Sequence, residues 1–221
     1  MKGQIKSGEA LVLEARTGKE GGRKLSLFTR NEGRREAYLP RTVMARCGTG
    51  LTMPFAHIRY TGADGDFLVL GQYEGKLLFE LMKLTYEEMS CWYYLIEAAE
   101  KLFPLNQEDL QTYEILLSTG KAGRNRNHLI VSFIGVVKLL ASAGFDPSSP
   151  EAADRFHLSK NARLLLADFR NYRWNEPFGR NISKAAFRQC AEYIDDFMGE
   201  VCDVEMKTKG AFLRAVNGNI Q

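Results

Sequence analysis

The sequence predicts an α+β fold in which a five-stranded N-terminal β-barrel precedes an all-α C-terminal domain. Two features of the sequence carry this prediction. Short runs of strand-forming residues, separated by turns containing Gly, Asn or Asp, fill about the first 75 residues. From Thr85 onward, apolar residues recur with the helical period of 3.6. The change of period predicts two domains, residues 1–78 and residues 79–221.

The five predicted strands include a tight hairpin around Asn31-Glu32-Gly33, because Gly33 tolerates the positive φ that such a turn needs. The predicted strand runs are residues 5–16, 25–30, 34–39, 53–60 and 67–73. Their connections are a basic loop at 17–24, a polar link around 47–50 and a turn at 61–66. Since five short strands expose their edges unless the sheet closes, we expect a small closed barrel.

The helical part begins with a capping box formed by Thr85 and Glu88. We expect this helix to end by Pro104 and a second helix to run from a cap at Asn106 to Gly120. Residues 129–143 are apolar nearly all round, which predicts a buried central helix. Three further helices are expected at residues 151–156, 160–173 and 184–201, the first with Ser149 as its cap.

The composition is ordinary for a globular protein, with 45% hydrophobic and 26% charged residues. No apolar run reaches the length of a membrane span, and residues 1–6 lack the apolar core of a secretion signal. We therefore expect a cytoplasmic protein with no membrane partner.

Motifs for catalysis are absent from the sequence. It contains no phosphate-binding loop, dinucleotide fingerprint, nucleophile elbow or zinc-protease motif, so we expect no catalytic residue and no enzyme activity. The four cysteines and three histidines are widely separated, which predicts no metal and no cofactor. Asp64-Gly65-Asp66 fits a solvated turn better than a metal-binding carboxylate pair.

Positive charge is concentrated at the N-terminus. Residues 1–50 contain 11 Lys/Arg and 5 Asp/Glu, whereas the remaining residues contain 19 and 22. This asymmetry indicates an anionic partner, with phosphate as the leading candidate, although a solvated basic loop is the alternative. The strand aromatics Phe28 and Tyr38 are expected on a barrel face that binds a nucleic-acid backbone. The cations expected on this face are Arg16, Lys19, Arg23, Lys24, Arg30, Arg34, Arg35, Arg41 and Arg46.

A second basic cluster, Lys121, Arg124 and Arg126, precedes the central helix. We expect it to surround a shallow apolar pocket for an acidic peptide tail with a hydrophobic end, and a second DNA contact is the alternative. The aromatics Tyr172, Trp174 and Phe178, interleaved with Arg170, Arg173 and Arg180, either stack bases or pack into the core.

Several short segments follow one another at characteristic spacings. In the strand region they are Leu27-Phe28-Thr29 with Gly33-Arg34, Leu51 with Pro54-Phe55, and Gly65-Asp66 leading to Leu70 and Glu74. In the helical region they are Phe133, Leu139-Leu140, Gly144-Phe145-Asp146-Pro147, and Lys207-Thr208-Lys209 before Phe212-Leu213. In order and spacing, these segments resemble the bacterial RecO family of recombination mediators.

The resemblance implies an OB-fold that binds single- and double-stranded DNA and anneals strands without nucleotide hydrolysis in DNA repair and recombination. It also implies cooperation with RecR and contact with the acidic tail of single-stranded DNA-binding protein, so that RecA can load. A helical protein–protein adaptor without direct DNA function is the alternative.

Three segments depart from the family pattern. Residues 148–153 lack the cysteines of a zinc site, and Pro40-Arg41-Thr42-Val43 replaces a more basic segment. Phe133 and Ile134 lie where some members carry the basic residues that contact the acidic tail.

Overall fold

The computed structural model describes residues 4–65, 67–178 and 181–219 of the 221-residue chain. The fold is α+β, with an N-terminal five-stranded sheet and mostly helical structure after it. The strands are β1 (Gln4–Thr17), β2 (Arg23–Thr29), β3 (Gly33–Leu39), β4 (Ala56–Asp64) and β5 (Leu68–Leu77). Short 3-10 turns lie at Lys19–Gly21, Gly50–Thr52 and Leu81–Lys83.

Among the described residues there are eight α-helices, and the first of them lies between β3 and β4. Their bounds are α1 (Arg41–Cys47), α2 (Tyr86–Leu102), α3 (Leu110–Ala122), α4 (His128–Ser142), α5 (Pro150–Arg155), α6 (Lys160–Asn171), α7 (Lys184–Glu200) and α8 (Lys209–Asn219). Within these described ranges, no helix has both the length and the apolar character needed to cross a membrane.

The strand pairings form a closed ring in the order β1-β2-β3-β5-β4, with β4 returning to β1. Strand β1 pairs antiparallel with β2 through its C-terminal half and with β4 through its N-terminal half. Strands β3 and β5 pair in parallel, and the other neighbours pair antiparallel. Alternate side chains of every strand therefore face a common interior.

That interior is filled by apolar side chains and receives two residues of α1, Val43 and Met44. The core also contains Ala10, Val12, Leu25, Leu27, Ala37, Leu39, Ala56, Ile58, Tyr60, Leu68, Leu70 and Tyr73. Helix α1 is thus part of the core of the closed sheet, because its buried residues Val43 and Met44 pack in that interior.

The chain divides into two compact units. The first comprises the strands and residues 103–124, and the second comprises residues 82–102 and 125–219. The predicted division at residues 78/79 placed residues 103–124 in the helical domain, whereas in the structure they lie with the strands. Phe103 packs edge-on against Phe28 with ring centroids 6.0 Å apart, and Tyr113 Oη lies 3.0 Å from Nε2 of His57.

The second unit is built around α4, the predicted central helix, whose Phe133 is fully buried. The ring of Phe133 lies 5.0 to 5.9 Å from those of Phe169, Phe187 and Phe212, which come from α6, α7 and α8. Tyr94 of α2 stacks on Phe212 at 4.2 Å. These aromatic contacts join five helices in one core.

Several local predictions are confirmed. Gly33 has a φ of 64°, and Thr85 and Glu88 form both hydrogen bonds of the capping box. The Ser149 side chain accepts a hydrogen bond from the Ala152 amide at 3.2 Å, with Pro150 in the first turn.

Other local predictions are wrong. Helices α1 and α8 were not predicted, and β4 continues through the first part of the turn expected at 61–66. Helix α3 is capped by Asp109, whose carboxylate accepts from the Thr112 amide at 2.8 Å. Asn106 instead has positive φ. Its backbone amide donates a hydrogen bond to the Arg34 carbonyl oxygen at 2.8 Å, which links β3 to the segment before α3.

Replacing Gly33 by Ala should destabilise the protein more than replacing Gly48 by Ala. Both glycines have positive φ, but a Cβ on Gly33 would overlap the Gln107 carbonyl oxygen, whereas a Cβ on Gly48 meets no atom within 4 Å. We expect Gly48→Ala to cost about 1–2 kcal/mol and Gly33→Ala about 2–5 kcal/mol, measured by urea denaturation. Equal losses would contradict the close approach at Gly33.

Candidate nucleic-acid interface

Six of the nine predicted DNA-binding cations lie on or beside one end of the closed sheet. Antiparallel pairing brings the end of β1, the start of β2 and the end of β3 together, with Thr17 opposite Arg23 and Arg23 opposite Leu39. Helix α1 begins two residues after β3. The cations placed there are Arg16, Lys19, Arg23, Lys24, Arg41 and Arg46.

Two of these cations stand in one row with an aromatic side chain. Arg16 pairs with Lys24 across β1 and β2, and Lys24 pairs with Tyr38 across β2 and β3. Paired residues project to the same side of a sheet, and the exposed cations identify this as the outer side. The Arg16 side chain is 72% exposed and lies 2.6 Å from a Glu14 carboxylate oxygen.

The loop between β1 and β2 packs against Tyr38. The tyrosine hydroxyl donates to the Lys19 carbonyl oxygen at 2.9 Å, and the Gly18 amide donates to the Gly22 carbonyl oxygen at 2.9 Å. A Cβ on Gly22 would overlap the Tyr38 hydroxyl, so this close approach requires glycine. The Tyr38 ring is consequently fixed at the edge of the basic loop.

Two further cations of this end, Arg23 and Arg46, are held by neutral partners. Arg23 donates from Nη1 to the Thr52 hydroxyl, and Arg46 donates from Nη2 to the Gly71 carbonyl oxygen at 2.6 Å. The aliphatic part of Arg41 lies close to Gly21. Hydroxyl and carbonyl partners orient a guanidinium without cancelling its charge, so these arginines can still attract phosphate.

Arg35, which was predicted to face DNA, is buried instead. Its side chain is 8% exposed and forms ion pairs with Glu32 at 2.5 Å and with Asp64 at 2.6 Å. Lys6 pairs with the same two carboxylates. Arg35 faces the interior because it pairs with the core residue Leu27, so this guanidinium has no access to a phosphate backbone.

The other two hairpin cations, Arg30 and Arg34, also have protein partners. Arg34 donates from Nε to the Phe103 carbonyl oxygen at 2.9 Å, and Arg30 lies 3.6 Å from a Glu9 carboxylate oxygen. Phe28, expected to be an aromatic on the binding face, is fully buried against Phe103. The hairpin therefore serves the packing of residues 103–124 rather than forming an open basic surface.

The second basic cluster is divided between the two units. Lys121 and Arg124 belong to the first unit, and Arg126 belongs to the second. Arg126 donates to the Tyr172 hydroxyl and to the Trp174 carbonyl oxygen at 2.8 Å. Its guanidinium also lies 5.7 Å from the centre of the Tyr172 ring.

A pocket of about 390 Å³ lies beside Arg126. It has an apolar wall from α4 and an aromatic wall from the segment after α6. The residues that line it are Arg126, Asn127, Ile130, Val131, Ile134, Tyr172, Trp174, Pro177 and Phe178. Because its walls are apolar and aromatic, such a pocket suits a small apolar group. Arg126 places one cation at its rim.

The Arg-aromatic segment after α6 largely packs on itself. Tyr172 lies 5.4 Å from Trp174 and 5.5 Å from Phe178 between ring centroids, and Phe178 lies 5.5 Å from the buried Phe169. Arg170 pairs with Asp146 at 2.8 Å and Arg173 with Glu176 at 3.9 Å. Arg180 lies outside the described residues. These contacts favour the packing alternative over base stacking for Tyr172 and Phe178.

Sequence reasoning missed three apolar residues of the first unit that are exposed or half-buried at or next to the strands. Ile5 is 77% exposed on β1, Phe67 is 50% exposed immediately before β5, and Val69 is half-buried on β5. The alternation of Phe67, Leu68 and Val69 is the sequence signal that could have identified Phe67 and Val69, because the Leu68 between them is buried in the core.

Within residues 4–65, 67–178 and 181–219, no three His, Cys, Asp or Glu side chains are arranged to hold a metal ion. In the predicted Asp64-Gly65-Asp66 turn, Asp64 is ion-paired within the first unit and Asp66 lies outside the described residues.

No family model matches the chain, and no curated protein matches it either.

The ion-pair network predicts a loss of stability in acid. Hydrogen bonds from Lys6 and Arg35 lower the pKa of Asp64 from its ordinary value of 3.8 to about 2. Ionised Asp64 therefore favours folding above about pH 4, and this contribution is lost as the pH falls toward 2. Asp64→Asn should flatten the decline of the denaturation midpoint between pH 4 and 2.

The control for this experiment is Glu36→Gln, which removes an exposed carboxylate from β3 and should retain the wild-type acid profile. An Asp64→Asn protein that loses stability between pH 4 and 2 as steeply as the wild type would exclude Asp64 as the source of the effect.

Proposed function

We propose that this protein is a DNA-binding recombination mediator of the RecO type, acting in the cytoplasm in DNA repair. It binds single- and double-stranded DNA, anneals strands, and helps to load a recombinase onto DNA coated with single-stranded DNA-binding protein. The observation that carries the proposal is the gathering of six cations, with Tyr38, at one end of the closed sheet. RecR is the proposed protein partner.

The topology supports an OB-type barrel for this unit. Five strands close in the order β1-β2-β3-β5-β4, and the helix between β3 and β4 contributes Val43 and Met44 to the core. In OB-folds, the face of strands 2 and 3 and the loop between strands 1 and 2 bind oligonucleotides. In this chain those same elements carry Lys19, Lys24 and Tyr38.

Electrostatics accounts for annealing without a catalytic group. Two strands repel each other through their phosphates, and cations on one rigid surface lower that repulsion while they hold the strands close together. Arg23 and Arg46 suit this role because their hydrogen-bond partners are a hydroxyl and a carbonyl oxygen. Arg35 is excluded from the proposed surface because it is buried between Glu32 and Asp64.

The pocket beside Arg126 supports a second binding activity in the helical unit. We propose that it holds the hydrophobic end of an acidic tail from single-stranded DNA-binding protein. Its apolar wall from Ile130 and Ile134 accepts the end of the tail, and Arg126 at the rim attracts its carboxylates. Lys121 and Arg124 belong to the first unit, and a second DNA contact remains the alternative for them.

This same pocket is the feature that favours the adaptor hypothesis. A helical adaptor binds its partner through such a pocket and has no need of the cations on the strands. The two functions differ in whether DNA affinity depends on those cations. A salt titration of DNA binding measures this dependence.

Replacing Arg16 and Lys24 together by Ala should weaken the salt dependence of single-strand binding. Each phosphate contact contributes about 0.7 to the slope of log affinity against log salt, so the slope should fall by about 1.4. The measurement is a fluorescence titration of labelled single strand at several salt concentrations.

Arg155→Ala with Arg163→Ala removes the same charge from exposed ion pairs of the helical unit and is the matched control. That control should keep the wild-type slope. Equal slopes for all three proteins would remove the Arg16–Lys24 row from the DNA surface and favour the adaptor.

Replacing Ile130 by Ser should weaken binding of an acidic peptide with an aromatic C-terminal residue about tenfold, because the pocket loses apolar contact. Trp174 in the pocket wall provides the fluorescence signal, since Trp92, the other tryptophan, is fully buried. Leu164→Ser, an exposed apolar position on α6, should leave the affinity unchanged. Unchanged affinity in Ile130→Ser would place the tail elsewhere.

A further inference from the structure

Helix α2 of the second unit carries two exposed tyrosines on one line. Tyr86 is 60% exposed and Tyr93 is 38% exposed, and Glu100 follows seven residues further along the helix. Residues seven positions apart lie within about 20° of each other around a helix axis, so these three side chains form a line along α2. Met89, which is half-buried, lies beside this line.

Other aromatic side chains of α2 pack inside the second unit. Trp92 is fully buried and donates from Nε1 to Nδ1 of His128 on α4 at 3.1 Å. Tyr94 is also fully buried and stacks on Phe212 of α8. The helix is therefore anchored without its two exposed tyrosines. Exposed aromatic and methionine side chains on one helix face are typical of a protein–protein contact.

The line on α2 is symmetric about Tyr93. Tyr86 precedes Tyr93 by seven residues and Glu100 follows it by seven, so each lies about 10.5 Å from Tyr93 along the helix axis. When two copies of α2 lie antiparallel across a two-fold axis at Tyr93, Tyr86 of each copy is opposite Glu100 of the other. A tyrosine hydroxyl donates to a carboxylate, so the two ends of the line complement each other.

Charge favours the antiparallel orientation over the parallel one. Lys83 is exposed shortly before α2, and Glu100 lies in the last turn of the helix. Antiparallel copies bring Lys83 of one copy to the end of the pair that holds Glu100 of the other. Parallel copies place lysine beside lysine and glutamate beside glutamate, and like charges across an interface are unfavourable.

We propose that this face of α2 binds the same face of a second copy of the chain, as an antiparallel, two-fold symmetric helix pair with Tyr93 at its centre. One line of side chains from each helix makes a contact smaller than the standard interface of about 1,600 Å², so the dimer is weak and reversible. The dimer does not depend on the proposed DNA-binding function. If that function holds, each dimer carries two basic ends, one for each strand to be annealed.

The test is sedimentation equilibrium of the full chain without DNA, from micromolar to submillimolar concentration. The mass of the wild-type protein should rise from that of one chain toward that of two. Tyr93→Lys removes the central rings and places two ammonium groups at the two-fold axis, so it should raise the dimer dissociation constant roughly tenfold or more. Leu164→Lys makes the same charge change at a position on α6 that is 40% exposed, and it should leave this constant unchanged.

Charge reversal tests the orientation. Glu100→Lys and Lys83→Glu should each weaken the dimer, because each brings like charges together at both ends of the pair. The two substitutions combined should restore the wild-type dissociation constant, since opposite charges meet again. Lys83 and Glu100 of one chain lie at opposite ends of a 17-residue helix about 25 Å long, so this restoration does not arise within one chain.

Circular dichroism of each variant checks that it is folded. If Tyr93→Lys is unfolded, the charge-reversal series carries the test, because Lys83 is exposed and Glu100 is partly exposed. A wild-type mass of one chain at every concentration would overturn the proposal. A dimer that both Tyr93→Lys and Glu100→Lys leave intact would also overturn it, because its contact then lies elsewhere. Neither result bears on DNA binding by the cations of the first unit, which the salt titration measures separately.

Discussion

Strand β1 pairs along both of its edges, and this double pairing closes the sheet. Ala10 is opposite Thr29 of β2 and also opposite Ile58 of β4, so the strand joins the first and last members of the ring. Closure removes exposed strand edges but creates an interior that must be filled and two ends that must be covered. At one end, α1 contributes Val43 and Met44 to the core. At the hairpin end, Lys6 and Arg35 pair with Glu32 and Asp64.

This closure explains why charge alone was a poor guide to which arginines lie on the surface. Arg34 and Arg35 are adjacent on β3, and successive strand residues project to opposite faces, so one of the two had to face the interior. Arg35 does so, and it is tolerated there because two carboxylates compensate its charge. The alternation of inward and outward side chains along β3 was visible in the sequence. The carboxylate partners of Arg35, one of them 29 residues away, were not.

Much of the fold was predictable because local signals agreed with the tertiary structure. The hairpin at Gly33, the capping box at Thr85 and the apolar central helix all rest on interactions within a few residues. Helix α1 was missed because seven residues beginning after Pro40 give little periodicity, and their helical form depends on burying Val43 and Met44. The Asp109 cap was missed because the long-range hydrogen bond of Asn106 to Arg34 decides where α3 begins.

The candidate site was the least predictable part, because register rather than composition assembles it. Arg16 meets Lys24 only through the register of β1 with β2, which shifts between Val12 and Glu14 and which no local signal specifies. The cations near α1 differ from those near the hairpin in the kind of hydrogen-bond partner that holds them. Arg23 and Arg46 bind a hydroxyl and a carbonyl oxygen, whereas Lys6 and Arg35 bind carboxylates. A neutral acceptor orients a guanidinium and leaves its positive charge uncancelled, so Arg23 and Arg46 contribute a positive field near α1, whereas the hairpin network is electrically balanced.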